Sequence, residues 1–419
     1  MVRNAFTAGI DFTQYFKNRL YYIDVKGMLS SLHGSAGAIT ALQNSVAHYY
    51  QRASSADYLG VDPTRRSLTG TGGYVKVGRK GNAKWNFSET FTWSSPGFDL
   101  NDMGYMKETD YLMNETEIMY RQTDIWKIFR YNAFTLSQKN MWNYGGTPFS
   151  NNASLRWQSM TMNRYEWDVK ETFAWNWLDS RLLRGGPDVR FGSYFLTSAK
   201  FNTDKAKRMM FMLKYEGDHN FEGNRFNTIS PSLTFRLGNH VYLSGQLDYA
   251  WNTDEMQYVA TTSPLSSSSL TPYYYVMGHM DQKTYGLTLK LQVNVTPDIS
   301  IQFYGAPFTS IAKYDDFKLA ADTKSHTFEN RFQRIDPDHL TYADGVYTIG
   351  EGAGQMPFRN PDFRFNEFRS NLVAAGNTCP APRFISYGNT GCPTGTTGIP
   401  PAGEVIWIVC GDSPLQIRS

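Results

Sequence analysis

Cysteine, charge and long apolar runs are all scarce in this 419-residue sequence, and each scarcity removes a class of protein. The three cysteines, Cys379, Cys392 and Cys410, crowd into the C-terminal end. A thiol-free chain before them fits an exported protein that uses no disulfides, and it leaves no cysteine pair there for zinc. The seven histidines, His33, His48, His219, His240, His279, His326 and His339, are scattered without metal-ligand spacing. Charged residues make up 19% of the chain, below the roughly 25% of an ordinary soluble domain. A net charge of +3 argues neither for nucleic acid nor for anionic lipid as a partner.

No stretch approaches the roughly 18 apolar residues of a membrane-spanning helix. That absence excludes a helical inner-membrane protein. It leaves open a barrel, whose strands need only about 9–11 residues of alternating polarity. The opening Met1-Val2-Arg3-Asn4-Ala5-Phe6 lacks the charged start and apolar core of a secretory signal. A barrel must be exported, so Met1 is expected to begin inside a longer protein.

Aromatic residues are plentiful. They reach 15%, with 27 Tyr, 27 Phe and 10 Trp, a supply that suits a sheet facing lipid between two aromatic girdles. The strongest pattern is alternation. Tyr285, Leu287, Leu289, Leu291, Val293 and Val295 take every second place, with Gly286, Thr288, Lys290, Gln292 and Asn294 between them. This is a strand with one apolar and one wet face. Pro297-Asp298 breaks the run, and Ile299, Ile301 and Phe303 resume it, which predicts a hairpin with a very short turn.

The same grammar recurs. Tyr165, Trp167, Val169, Phe173, Trp175 and Trp177 face one way, opposite Glu166, Asp168, Lys170, Thr172 and Asn176. Ile229, Leu233, Phe235 and Leu237 lead through Gly238-Asn239 into Val241, Leu243, Leu247, Tyr249 and Trp251. Trp85, Phe87, Phe91 and Trp93 follow the turn signature Gly78-Arg79-Lys80-Gly81-Asn82, and Met209, Phe211, Leu213 and Tyr215 make a further case. About 14–16 strands can be counted, with room for more, each of a length that suits a tilted span. Short turns alternate with longer polar segments, 52–66, 217–225 and 260–271 among them, as in outer-membrane barrels.

The competing reading is a soluble all-β sandwich or propeller. Strands longer than the usual 5–6 residues weigh against it. So do tryptophans at strand ends: Trp85 and Trp93 bracket one run, Trp175 and Trp177 close another, and Trp251 ends a third. The fold class is therefore all-β, a large antiparallel transmembrane β-barrel. Glu89 and Glu171 fall in the apolar register, and bulges or a place near the interface, where the penalty falls to about 0–1 kcal/mol, are the expected reasons.

Several segments carry a resemblance: Ser95-Pro96-Gly97-Phe98-Asp99-Leu100-Asn101-Asp102-Met103-Gly104-Tyr105, Leu183-Arg184-Gly185-Gly186-Pro187, and Thr296-Pro297-Asp298-Ile299-Ser300-Ile301-Gln302-Phe303-Tyr304. Ala306-Pro307-Phe308, Tyr314-Asp315-Asp316-Phe317-Lys318 and Phe328-Glu329-Asn330-Arg331-Phe332 continue it. Most of residues 1–373 resembles an uncharacterised family of outer-membrane barrels that usually follows a family-nine-like carbohydrate-binding domain. The resemblance implies an architecture, a location in the cell outer membrane, and a signal peptide and sugar-binding-like domain ahead of Met1. It implies no catalytic residue.

After Val373 the character changes. Residues 374–419 hold all the cysteines, six of the 18 prolines and little alternation. Back-translated with permitted codons and read one base out of frame, the stretch from Ala374 to Gly391 can give a strand, a Pro-Gly turn and another strand that resemble the end of this family. Residues 1–373 are expected to form the barrel, and 374–419 to be an out-of-frame or disordered tail.

Candidate chemistry is thin. Gly70-Thr71-Gly72-Gly73 lacks the Lys-Ser/Thr of a phosphate loop and reads as a bend or bulge. Asp99, Asn101 and Asp102 could ligate calcium, but Asx turns explain them more simply. Arg184-Gly185-Gly186-Pro187 reads as a tight turn, of the kind a lumen loop would use. No catalytic, cofactor-binding or metal-binding residue is assigned, and no cofactor. The expected partners are outer-membrane lipid and a glycan or small solute, with no nucleic acid. The leading expectation is passage or handling of that solute at the surface of a Gram-negative cell. An outer-membrane hydrolase with a site at the barrel mouth and a docking barrel of a surface complex are the alternatives.

Overall fold

The computed structural model describes residues 1–52, 58–101, 106–175, 177–238, 240–265, 273–297, 299–377, 383–389 and 405–408. The chain opens with β1 (Val2–Phe16), β2 (Tyr21–Gly34), α1 (Ala36–Gln43), β3 (Ser67–Arg79), β4 (Trp85–Ser94) and β5 (Tyr111–Gln122). It continues with β6 (Phe129–Trp142), β7 (Pro148–Thr161), β8 (Glu166–Trp175), β9 (Trp177–Asp179), β10 (Val189–Phe191) and β11 (Tyr194–Asn202). Then come β12 (Met209–Asn220), β13 (Arg225–Leu237), β14 (Val241–Thr262), β15 (Tyr274–Asn294) and β16 (Ile299–Ala320). Last are α2 (Phe328–Arg331), β17 (Phe332–Arg334), β18 (Leu340–Ala343), β19 (Val346–Ile349), β20 (Met356–Arg359), β21 (Phe363–Asn377), β22 (Arg383–Asn389) and β23 (Val405–Ile408).

Most of these belong to one 18-stranded sheet. It is an antiparallel meander from β1 to β8, then β11 to β16, then β21 and β22. β17 edges the top of β16, and β23 runs parallel to β22. β9 with β10, and β18 with β19 and β20, form two small separate sheets. Among the described residues no ladder joins β1 to β21 or β22.

The alternation read from the sequence lands in register. Met209, Phe235, Leu243, Leu291, Phe303 and Leu372 stand opposite one another in turn across β12 to β21. Such cross-strand apolar pairs are the unit that stabilises a sheet face. Their face is the exposed one: Phe134, Leu136, Leu155, Leu233, Leu243, Leu247 and Leu289 all lie open. The other face is polar and covered, with Ser154, Thr172, Ser230, Thr234 and Ser310 buried. There Ser230 Oγ donates to Asp248 at 2.6 Å, Gln282 Nε2 to Ser310 at 2.9 Å, and Ser137 meets Ser154 at 2.6 Å. Arg156 Nε donates to Asp168 on the same wall at 2.7 Å.

A soluble sandwich buries its apolar face and wets its outside. Here the polarity is inverted, as a barrel in lipid requires. No helix of the described chain is long and apolar enough to cross a membrane; the crossing is made by strands. The chain is a large antiparallel transmembrane barrel sheet.

Its ends differ. One end carries short turns, such as 17–20, 80–84 and 162–165; the other carries 35–66, 95–110 and 321–362. The apolar rows of β14 run from Val241 to Trp251, about 33 Å of strand, or about 25 Å of bilayer at the usual tilt. Yet β14, β15 and β16 are 22, 21 and 22 residues long. Their upper halves therefore stand clear of the apolar band.

Several sequence readings need correction. Trp251 does not end a strand; it marks the top of the apolar rows midway along β14. Residues 217–225 are no long loop but the tight end of the β12–β13 hairpin. Gly78 and Arg79 lie in β3, and only Lys80 onward forms the turn, where Gly81 takes φ +122°. Trp177 leaves the β8 run and begins β9. No bulge sits at Glu89 or Glu171: both keep regular register and accept hydrogen bonds from Thr116 (2.6 Å) and Thr197 (2.7 Å) across the strand. Asn176, Asn239 and Asp298 lie outside the described residues, as do Cys379, Cys392, Cys410 and most of the 374–419 tail.

Candidate functional site

In their described residues, the connections 35–66, 95–110 and that between β8 and β11 do not splay outward. They fold back onto the concave, polar face and fill the mouth. Helix α1 begins there because Ser35 caps it, its Oγ accepting from the Ala38 N–H at 3.3 Å. Ile39 is then fully buried with Leu32, Tyr50 and Leu68, on the inner sides of β2 and β3. Gln43 clamps the returning chain, donating to the Asp62 carbonyl at 2.9 Å and accepting from its N–H at 2.7 Å.

The Gly70-Thr71-Gly72-Gly73 run is neither a bend nor a bulge. It lies in unbroken register with β2. Its glycines make room for another backbone. A Cβ on Gly70 would fall 2.1 Å from the Phe98 nitrogen, and one on Gly72 2.5 Å from the Phe98 ring. Segment 95–99 docks in that space: Ser95 N donates to Thr71 O at 2.8 Å, Thr71 N to Ser95 Oγ at 2.7 Å, and Asp99 N to Ser30 Oγ at 2.9 Å. Asp99 then takes the Asn101 N–H at 2.9 Å, an Asx turn. Asp102 lies outside the described residues.

Two ionic centres lock the fill. Arg52 pairs with Asp110, both buried; Tyr58 Oη donates to the same carboxylate at 2.6 Å, and Tyr144 N at 3.1 Å. Asp110 holds the left-handed φ of +62° needed to aim there. Burial and the Asp110 carboxylate both raise the Tyr58 pKa, so the phenol remains a donor. Burial likewise pushes Tyr50 up to about 12. On the opposite wall Arg331, wholly buried, pairs with Glu222 and stacks near the Phe328 ring. Lys318, 1% exposed, lies 3.3 Å from Asp316 and 3.9 Å from Glu255.

Around Arg331 and Lys318 lies an apolar cluster of Leu183, Val189, Met256, Met277 and Phe332. Leu183 and Val189 come from the β8–β11 connection, and Met256 and Met277 from the upper halves of β14 and β15. The cluster therefore bridges the curve of the sheet. Arg184 takes the expected tight turn, with φ +50° followed by Gly185 at +105°, and its guanidinium sits 4.4 Å above Tyr258. Three motifs noted separately in the sequence, 183–187, 314–318 and 328–332, meet at this point.

Against the Arg52–Asp110 pair is a small cavity of about 30 Å³, lined by His48, Arg52, Asp110, Asn143, Arg181 and Asp188 among others. That is room for one or two waters. His48 is buried beside it, its Nδ1 3.1 Å from Ser45 Oγ and its Nε2 3.9 Å from Asp99. Burial lowers the His48 pKa, against the pull of Asp99, and holds the ring neutral. Ser45 is bonded within its own turn and Asp99 is beyond hydrogen-bond range of the ring, so these three do not make a nucleophilic relay. The arrangement is a latch, built of buried salt links and close packing.

Sequence reasoning missed Arg52, Asp110, Glu222, Lys318 and Arg331 as partners. Each is an ordinary charge in the chain; folded connections bring Arg52 to Asp110 and Arg331 to Glu222, and the strands themselves set Lys318 beside Asp316 and Glu255. The one available signal was the string Phe328-Glu329-Asn330-Arg331-Phe332, a cation between aromatics.

A family model described as Domain of unknown function (DUF5916) matches residues 33–343. The chain belongs to this family. The match takes in the sheet from the end of β2 to β18, and with it both ionic centres. Among solved structures the chain is similar to the siderophore receptor PirA from Acinetobacter baumannii, with a TM-score of 0.41 and 10% identity. The alignment covers 88% of this chain, which spans 57% of the length of that receptor. A mutant of the ferric enterobactin receptor from Pseudomonas aeruginosa, in complex with enterobactin, aligns over 90% of this chain and 71% of its own, at 9% identity and TM-score 0.36. No curated protein matches the sequence.

Proposed function

We propose that the chain is the bilayer-embedded part of a Gram-negative outer-membrane protein, its long-loop end at the cell surface, where it handles a small solute or glycan. One observation carries this reading: a polar concave face runs under a mouth closed by the chain's own loops. Only helices and strand barrels satisfy their backbone in hydrocarbon, and short turns at one end with long loops at the other are the mark of outer-membrane barrels. A wet interior suits solute passage, and a latched mouth suits passage that is controlled. The glycan rests on the resemblance alone.

Conductance in planar bilayers tests it. The full chain is expected to conduct weakly. Arg331→Ala or Asp110→Ala removes one partner of a buried pair, which destabilises by about 3–5 kcal/mol, and should open the mouth and raise conductance. A chain that conducts as freely before the substitution as after it, or that stays soluble without detergent, would overturn the proposal.

A further inference from the structure

Above the apolar rows of β13 to β21 the outward face changes sign. Lys283, Ile311 and Arg364 stand opposite one another in one row, and Arg225, Thr253, Asp281 and Lys313 in the next. These positions share the face of Leu289, Tyr285 and Phe368, so they look away from the lumen. Arg225, Lys283, Lys313 and Arg364 are all exposed, and no ion pair binds any of them among the described residues. Asp281 is the one acid within the two rows; it accepts from Thr253 at 3.0 Å and lies 3.7 Å from His279. Asp315 stands one row higher, opposite His279.

The patch has a floor and a roof. Below it lie Tyr249 and Tyr285, stacked at 5.0 Å, with Trp251 beside Lys283 in its own row. Above it, Phe317 turns outward and is buried under Tyr347 and Phe358 of the β18–β20 sheet. Neighbouring strands lie about 4.7–4.9 Å apart, so Lys283 and Arg364 are separated by about 10 Å with Lys313 between and above them.

We infer that this ledge binds the phosphate groups of an outer-leaflet glycolipid, whose acyl chains lie along the apolar rows beneath. The inference rests on the proposed orientation, long loops outward. Lysine offers a point charge and arginine a planar fork to phosphate oxygens. Cations placed just above hydrocarbon gain from an anionic lipid surface what they lose by standing unpaired. The small net charge of the chain conceals the patch, because strand register alone gathers these residues.

The test uses the full chain folded in detergent, with bis-phosphorylated lipid A, its dephosphorylated counterpart and inorganic phosphate as probes, read by native mass spectrometry. Wild type should retain lipid A and release the dephosphorylated lipid. Lys283→Gln, Lys313→Gln and Arg364→Gln combined should weaken retention about fivefold per cation, whereas Lys283→Arg, Lys313→Arg and Arg364→Lys combined should preserve it. Equal retention of both lipids, or unchanged retention by the folded glutamine variant, overturns the inference. So does displacement of lipid A by inorganic phosphate alone, which would mark a free-anion site. Should the triple variant misfold, Lys313→Gln and a salt titration of wild type decide, and salt-independent retention counts against the ledge. Conductance of the glutamine variant should match wild type, since the patch lies outside the lumen. Labelling of Tyr342→Cys from outside intact cells, in a chain whose Cys379, Cys392 and Cys410 are replaced by serine, tests the orientation separately; failure there sinks both readings.

Discussion

At the scale of single residues, the mouth depends on side chains that are missing as much as on those present. Gly70 faces backbone, and Gly72 faces a ring that can move or be removed. Gly70→Ala should therefore displace segment 95–99 at a cost of about 1–3 kcal/mol, and Phe98→Ala should not rescue it. Gly72→Ala should cost the same or less, and Phe98→Ala should restore it. Hydrogen exchange of residues 95–101 in micelles checks both; equal rescue of the two glycines would show that the space is not set by backbone. The sequence made these glycines visible but not their purpose. A strand of small residues reads as a bend until the distant chain that fills it is known. Glu171 teaches a similar lesson. It stands in regular outward register, and its carboxylate is answered by Thr197 across the strand. Glu171→Leu should make folding into vesicles more favourable by about 1 kcal/mol.

At the scale of elements, periodicity was the legible part. The alternating residues of β4, β8, β12, β13 and the lower half of β15 were read from the chain, and their ladders run in the expected phase. The upper halves of β14 to β16 were not read, because above the apolar rows the outward face turns charged and then, at Val276 and Phe317, packs under β18–β20, so the alternation disappears. The inward loops were missed for a related reason: a segment that meets a pre-formed wall needs no period of its own. The segment bearing His48 should respond to pH. Its ring is buried neutral with a pKa below the usual 6.5. Well above pH 6.5 the ring is neutral whether docked or free and contributes no difference. As pH falls below that value the free segment takes up a proton that the docked one refuses, so docking weakens. Protection factors of residues 44–52, which divide out the intrinsic slowing of amide exchange in acid, should fall as pH drops below 6.5, and His48→Gln should flatten that response. A flat profile in wild type would remove His48 from this role.

At the scale of the molecule, the inverted polarity sets the solvent the protein requires. Neighbouring residues on one strand should then respond oppositely to the same charge. Leu289→Lys, facing hydrocarbon, should cost about 2–4 kcal/mol in folding titrations into vesicles. Thr288→Lys, facing the lumen, should stay within about 0.5 kcal/mol. Equal penalties would mean that the two faces share one environment. Among the described residues no ladder pairs β1 with β21 or β22, which bears on the same experiment, since every N–H and C=O left unpaired at lipid depth costs several kcal/mol.

The three short strands between Leu340 and Arg359 occupy a singular position, fastened to the outer flank of β14–β16 while the neighbouring connections turn inward. Thr262 Oγ donates to the Pro357 carbonyl at 3.0 Å to hold them there, and Tyr342 lies 56% open. Anything large that approaches the long-loop end from the side meets this flap before it meets the latch.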